Sequence, residues 1–178
     1  MRKLLALVAL CIILLSAPSL RAQGGGGVRT TIFLVRHAEK DTMKTDPPLT
    51  AHGRARAQLL ARILKLSGVR STHSTQYRRA VETVAPLDSA LGIANEVFSS
   101  SADSLASHVA ALVQHLLSAH KGETTVVSSH SNVLPMLLKA LGVQTPVEIG
   151  DHDYDNLFVV TVGGGGKATL VRLQMGVE

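Results

Sequence analysis

The side chains of this chain that could do chemistry stand directly after apolar, β-rich runs. Arg36 and His37 follow the run TTIFLV, His130 follows the run TTVVS, and Arg78 and Arg79 follow a third run at VRSTHS. Two imidazoles and two or three guanidiniums repel one another until an anion enters between them. Because arginine matches the oxygens of a phosphoryl group in a bidentate way, these residues predict a site for a phosphorylated ligand.

The elements around these residues alternate between strand and helix patterns. Strands are predicted at 30–35, 69–74, 93–98, 124–128, 157–162 and 168–173, and helices after Thr50, at 77–91, after Asp103 and at 133–141. This alternation predicts an α/β fold, a three-layer α/β/α sandwich with a mainly parallel central sheet and a C-terminal antiparallel hairpin. In such sheets, ligands bind outside the carboxyl ends of the strands, where the candidate residues lie.

Length and composition limit the class of protein. The chain has 178 residues, 46% of them apolar and 17% charged, which indicates one folded domain and excludes a disordered protein. Its single cysteine, Cys11, lies near the N-terminus, so disulfides and cysteine-based metal sites are excluded from the rest of the chain.

Residues 1–22 have the pattern of a secretory signal peptide. Arg2 and Lys3 precede an apolar run of 14 residues, which is short for a membrane span, and Ala22 offers a cleavage point. Leu10 before Cys11 is too bulky for a lipidation motif, so no lipid anchor is expected. Cleavage would leave a net charge of +2 instead of +5, too small for a nucleic-acid protein. We therefore expect a secreted or periplasmic protein without a membrane span after cleavage.

Four sequence blocks resemble the histidine phosphatase superfamily, also called phosphoglycerate mutase-like. In order along the chain, they are LVRHAE at 34–39, LTAHGRARA at 49–57, RAVET at 79–83 and SHS at 129–131. Ala38 stands where the typical member has glycine. The compact length is similar to that of the bacterial phosphohistidine phosphatases. The patterns along the chain predict a signal peptide at 1–22 and a glycine-rich linker at 23–28, and the resemblance implies a histidine phosphatase domain at 29–176.

The resemblance also implies roles for the basic residues. His37 would attack phosphorus and form a phosphohistidine, its other ring nitrogen held by a backbone carbonyl. Arg36, Arg79 and His130 would hold the phosphoryl oxygens and stabilise the transition state. The guanidiniums then take the part that a metal ion plays in other phosphatases, so neither a metal nor a cofactor is expected.

The acid that protonates the leaving group is less clear from the sequence. Asp103 is the best-placed candidate, after the third predicted strand, and Glu96 is the next. Glu39 is expected at the rim of the pocket as a substrate-binding residue, and Ser131 is expected to touch phosphate or to cap the following helix. The helical-turn residues Glu82 and Thr83 are expected to support the arginine.

The resemblance favours a histidine acid-type phosphatase, a phosphoric monoester hydrolase that cleaves a small phosphomonoester. Two alternatives remain: a protein phosphohistidine phosphatase, and a non-catalytic phosphate-binding module that has lost its acid. A mutase is disfavoured, because the chain lacks long insertions that would keep water from the intermediate.

Metal binding is not expected from the sequence. Five further histidines have no partners at metal-ligand spacing and are predicted to lie at the surface, namely His52, His73, His108, His115 and His120. The acidic segment 151–155 is predicted to be a solvated loop before the terminal hairpin.

Overall fold

The computed structural model describes residues 27–42, 45–100, 105–165 and 167–177. Within these ranges, six strands form one mixed sheet in the order β3-β2-β4-β1-β5-β6, and four helices pack on it. The strands are β1 (Thr30–Arg36), β2 (Val69–Ser74), β3 (Asn95–Val97), β4 (Thr124–Ser129), β5 (Asn156–Val162) and β6 (Ala168–Gln174). The helices are α1 (Ala51–Leu64), α2 (Arg78–Leu91), α3 (Leu105–Ser118) and α4 (Leu134–Ala140).

Helices cover both faces of the sheet. Strand β1 turns Ile32 and Leu34 toward the apolar side chains of α3 and α4, and turns Val35 toward those of α1 and α2. A strand buried on both faces reads as a continuous apolar run, which is why TTIFLV lacks alternation. The predicted three-layer architecture is confirmed.

The direction of the strands also agrees with the sequence. Strands β3, β2, β4 and β1 are parallel, whereas β5 is antiparallel to β1 and β6 is antiparallel to β5. The glycine-rich segment between β5 and β6 makes the predicted terminal hairpin. Among the described residues, no helix is both long and apolar enough to cross a membrane.

The third strand is shorter than predicted. The pattern at 93–98 suggested six residues, but only Asn95–Val97 pair with β2. The main-chain N–H of Ile93 instead donates to Asp88 at the end of α2, after Gly92 with its positive φ of 66°. Because α2 ends in this left-handed turn, the first residues of the run are used in leaving the helix.

Three predictions fall wholly or partly outside the described residues. They are the signal peptide at 1–22, most of the linker at 23–28, and Asp103, after which the third helix was predicted. Helix α3 is described from Leu105 onward.

Strand order brings the predicted site together. Strands β1 and β4 are neighbours, with Arg36 opposite Ser129, so His37 and His130 leave adjacent strand ends. Strand β2 lies on the other side of β4 and leads to Arg79 in the first turn of α2.

Candidate active site

His37 is held in one tautomer by the backbone. Its Nδ1 lies 2.8 Å from the carbonyl oxygen of Ala38, and its main-chain N–H donates to Ser129 at 2.8 Å. A carbonyl oxygen only accepts, so the ring proton lies on Nδ1 and Nε2 carries the lone pair. The pKa of His37 is lowered to about 4, mainly by burial and also by the charges of Arg79 and Arg36, while the hydrogen bond to Ala38 acts in the opposite direction. The ring is therefore neutral and nucleophilic at Nε2.

His130 faces His37 across the same site. The two ring centroids are 5.3 Å apart, and His130 Nε2 lies 2.9 Å from the hydroxyl of Thr75 at the end of β2. Burial lowers the pKa of His130 to about 3, and the neighbouring His37 and Arg79 act in the same direction. Both imidazoles therefore stay neutral in mildly acidic solution.

Arg79 supplies the cation of the site. Its guanidinium lies over the ring of Tyr77, 4.4 Å from the centroid, and Nη1 is 3.8 Å from a carboxylate oxygen of Asp46. Its buried Nε has no hydrogen-bond partner within the described part of the chain. A buried N–H without a partner costs about 1–3 kcal/mol, which an incoming anion would recover.

Arg36 is largely engaged with a loop. Its Nη1 donates to the carbonyl oxygens of Gly150 and Asp151, both at 2.8 Å, and its guanidinium stacks on Tyr154 at 4.0 Å. Its Nε is buried and, as far as the described residues extend, unpartnered. Arg36 can therefore offer Nε to a ligand while its Nη1 fixes the loop at residues 150–154.

A cavity of about 300 Å³ opens at this end of the sheet. It is lined by His37, Tyr77, Arg79, Ser100, Leu105, His130, Ser131, Asn132 and Val133. The cavity joins three predicted site residues and Ser131, while Arg36 and Glu39 are not among its lining residues. A cavity of this size, lined by two neutral imidazoles and a guanidinium, suits a phosphoryl group with a small substituent.

Glu39 forms ion pairs within the protein and does not lie at the rim of the cavity, where it was expected. Its carboxylate binds the Arg56 guanidinium at 2.6 Å and His52 at 2.9 Å. Burial would raise the pKa of Glu39, but the hydrogen bonds from Arg56 and the backbone outweigh it and lower that pKa. A Cβ at Gly53 would collide with the Glu39 carbonyl oxygen, so glycine lets α1 approach this loop closely. The LTAHGRARA block therefore supports the loop that carries His37.

The RAVET block ties α2 to the same loop. The Thr83 hydroxyl accepts the main-chain N–H of Ala38 at 2.9 Å and donates to the carbonyl of Arg79 at 2.7 Å. Glu82 accepts the N–H of Leu49 at 2.8 Å. The expectation that Glu82 and Thr83 support the arginine agrees with these contacts.

Of the two candidate acids, Glu96 is among the described residues, and it does not line the cavity. Asp103 lies outside the described residues, between Ser100 and Leu105, both of which line the cavity. Glu96 lies on β3 beside three histidines and not at the cavity. None of the cavity-lining side chains in the described part of the chain is a carboxylate.

The prediction for the remaining histidines is wrong in part. His52 is exposed, but His73 and His108 are buried, and His115 and His120 are half-buried. His73, His115 and His120 converge with Glu96, so they do have partners suited to a metal. Spacing along the chain missed this, because the four residues come from separate elements.

Sequence reasoning also missed two residues of the site. Thr75, which contacts His130, and Ser100, which lines the cavity, carry no motif. Their one available signal was position, since each follows the end of a parallel strand or lies next to a residue that does.

Residues 32–100 match the model of the histidine phosphatase superfamily (branch 1). No curated protein matches the chain. This match covers the part of the chain that carries Arg36, His37 and Arg79. The chain is therefore similar to the histidine phosphatase superfamily over these residues.

Solved structures of phosphatases share the fold. Mycobacterial glucosyl-3-phosphoglycerate phosphatase superposes with a TM-score of 0.67 at 16% identity, over 83% of this chain and 100% of that chain. The protein histidine phosphatase SixA, complexed with tungstate, gives 0.65 at 21% identity, over 81% and 96%. A putative alpha-ribazole-5'-P phosphatase from Escherichia coli gives 0.63 at 18% identity, over 84% and 99%.

Proposed function

We propose that this chain is a phosphatase that hydrolyses a phosphomonoester through a phosphohistidine on Nε2 of His37. The observation that carries the proposal is the contact between His37 Nδ1 and the Ala38 carbonyl, which leaves a neutral nucleophile in a cavity with Arg79 and His130. The neighbours solved with tungstate, VO3 and inorganic phosphate support an oxyanion in this fold.

The reaction takes place in two displacements. The His37 lone pair forms a bond to phosphorus as the ester P–O bond breaks, and the alcohol leaves with a proton from an acid. Water then attacks phosphorus, the P–N bond breaks, and inorganic phosphate and neutral His37 are released. Arg79 and the unpartnered Nε of Arg36 would stabilise the charge on the phosphoryl oxygens in both steps.

We also propose that the enzyme is an acid-type phosphatase, because of the protonation of its site histidines. A nucleophile with a pKa of about 4 stays neutral in mildly acidic solution, where an ordinary histidine is protonated. We therefore expect the enzyme to remain active below neutral pH.

The test is hydrolysis of p-nitrophenyl phosphate in excess EDTA. Wild type should turn over and His37→Ala should not, while His152→Ala, an exposed matched histidine, should keep wild-type activity. Arg79→Ala should cost roughly 10²–10³ in kcat, as the loss of one charge-stabilising donor does. Each variant should give the circular dichroism spectrum of the folded wild-type protein at the pH of the assay. Turnover by His37→Ala at the wild-type rate would overturn the proposal, and tight vanadate binding without turnover by wild type would favour a binding module.

The leaving-group acid is a separate proposal. We place it at Asp103, because the residues on either side of 101–104 line the cavity. Asp103→Asn should slow hydrolysis of an alkyl phosphate much more than that of p-nitrophenyl phosphate, whose leaving group needs no proton. Equal losses on both substrates would remove Asp103 from this role.

A protein phosphohistidine phosphatase is the second candidate. It is favoured by the absence of a carboxylate among the described cavity-lining side chains, because phosphorus-bound imidazole leaves without a strong acid. The similarity to SixA supports the same reading. Faster dephosphorylation of a phosphohistidine protein than of p-nitrophenyl phosphate would establish it.

Export is proposed from residues 1–22 alone. Expression in a bacterial host should give a periplasmic or secreted form whose N-terminal sequence begins at Gln23. A cytoplasmic protein that keeps Met1 or Arg2 would contradict this proposal.

A further inference from the structure

A second cluster of ligating side chains lies among β2, β3 and the end of α3. His73 on β2 is opposite Glu96 on β3 in the parallel register, His115 is in the last turn of α3, and His120 follows that helix. One ligand atom of each lies within 4.8 Å of the others. The cluster comprises three imidazoles and one carboxylate and is separate from the residues that line the cavity.

The distances within this cluster suit a single ion. Glu96 oxygens lie 3.0 Å from His115 Nε2, 3.5 Å from His120 Nε2 and 3.8 Å from His73 Nδ1. The two Nε2 atoms of His115 and His120 are 3.2 Å apart. Ligands at about 2.0–2.1 Å from a tetrahedral Zn²⁺ are about 3.3 Å from one another, which lies within this set of spacings.

A contact behind His120 directs the lone pair of its Nε2 toward the centre of the cluster. His120 Nδ1 lies 2.9 Å from the Glu123 carboxylate, which only accepts, so the proton of the neutral ring lies on Nδ1 and Nε2 carries the lone pair. That lone pair faces a Glu96 oxygen. Two electron-rich atoms facing each other are unfavourable unless a cation or an added proton lies between them. A carboxylate behind a metal-ligating histidine is the usual way in which such a ligand is oriented.

His73 adds an independent observation. It is fully buried, and its Nδ1 has no hydrogen-bond partner within the described residues. Its other nitrogen, Nε2, lies 3.2 Å from the Ser71 hydroxyl. The orphaned Nδ1 is the atom that faces Glu96, so a costly unpartnered group is aimed into the cluster.

We propose that His73, Glu96, His115 and His120 bind one divalent transition-metal ion of the Zn²⁺ type. Three imidazoles and a carboxylate fill four positions and leave none for a substrate, which is the pattern of a structural and not a catalytic site. The ion would join the three-residue edge strand β3 to β2, α3 and the turn before β4. Phe98 packs on the cluster, with its ring centroid 4.7 Å from that of His115.

The test is Zn²⁺ titration by calorimetry of the purified protein after metal removal with a chelator. Wild type should bind one Zn²⁺ per chain and gain thermal stability as Zn²⁺ is added. Glu123→Gln, behind a ligand, should weaken binding about 10-fold to 100-fold, and Glu96→Gln and His115→Ala should weaken it more. Glu148→Gln and His152→Ala, exposed residues of the same types outside the cluster, should bind as wild type does.

Two further measurements separate this site from the alternatives. His37→Asn should retain the Zn²⁺, because the ion is not held by the catalytic histidine. Co²⁺ in place of Zn²⁺ should give the intense visible absorption of tetrahedral coordination. Equal Zn²⁺ affinity in wild type, Glu96→Gln and His115→Ala would overturn the proposal and leave a proton-linked hydrogen-bond network. Loss of the ion in His37→Asn, or a weak octahedral Co²⁺ spectrum, would overturn it as well.

Discussion

The protonation of His37 gives the most decisive prediction. Lowering its pKa from the usual 6.5 to about 4 costs the protonated ring about 3 kcal/mol relative to an exposed histidine. At pH 5.5, an ordinary histidine is only about one tenth neutral, whereas a ring with a pKa of about 4 is almost entirely neutral. The active site should therefore keep about ten times more of its nucleophile in the reactive form at this pH.

The measurement is an NMR titration of the histidine rings from pH 7.5 to 4.5. The His37 signal is assigned by its loss in His37→Asn, and free histidine in the same buffers is the reference. We expect the His37 ring shifts to stay at their neutral values at pH 5.5, where free histidine is mostly protonated. Protonation of His37 with a midpoint near 6.5 would refute the reasoning.

Arg79→Gln tests the electrostatic part of that argument. Burial is the main cause of the low pKa of His37, and the charge of Arg79 lowers it further. Removing this charge should raise the pKa of His37, so its signal should begin to move at higher pH. Arg62→Gln, a change at an exposed arginine on α1, should leave the His37 titration unchanged. An equal change in the pKa of His37 in Arg79→Gln and Arg62→Gln would show that the local charge of Arg79 does not lower this pKa.

Three further predictions concern stability. Thr83→Val leaves the buried N–H of Ala38 without its acceptor, so urea unfolding should show a loss of about 1–3 kcal/mol. At most helical positions a change from glycine to alanine is stabilising. At Gly53, however, the new Cβ would collide with the Glu39 carbonyl, so Gly53→Ala should be destabilising by about 1–3 kcal/mol. In the unfolded state, His37 and His130 take up protons near pH 6.5. In the folded state they do so only near pH 4 and pH 3. Their contribution to stability is complete above pH 6.5 and falls below it, by about 2 kcal/mol for each ring at pH 5.

Matched controls make these stability measurements specific. Thr145→Val and Gly176→Ala change exposed positions and should leave the free energy of unfolding within about 0.5 kcal/mol of wild type. The double variant His37→Asn with His130→Asn should lose less stability than wild type between pH 7.5 and pH 5. An unchanged pH dependence in that variant, or a stabilised Gly53→Ala, would contradict the corresponding prediction.

Local patterns were sufficient to predict the fold and the centre of the site. The runs TTIFLV and TTVVS each gave a buried strand, and parallel pairing placed His37 and His130 at neighbouring strand ends. A helix was predicted after Thr50, and the hydroxyl of Thr50 accepts the N–H of Gly53 at the start of α1. The two strands and the cap depend on residues close in the chain, which is why one sequence was enough for them.

Features that depend on long-range register were not predicted. The approach of His73 to Glu96 requires β2 and β3 to pair in one register, and the approach of His120 requires the turn after α3 to return to the sheet. Glu39 was expected at the rim of the pocket as a substrate-binding residue. Instead, the guanidinium of Arg56, 17 residues later in the chain, binds the carboxylate of Glu39. Such contacts are set by packing and not by local propensity.

The paired hydrogen bonds of Thr83 have a mechanical consequence. One hydroxyl joins the carbonyl of Arg79 to the N–H of Ala38, so the cation and the nucleophile are fixed to a single helical turn. A small rigid-body shift of α2 would carry both groups together and preserve their separation. Ser100, which lines the cavity, is instead hydrogen-bonded to Gln76. Substrate preference can therefore change at this residue without altering the spacing on which phosphoryl transfer depends.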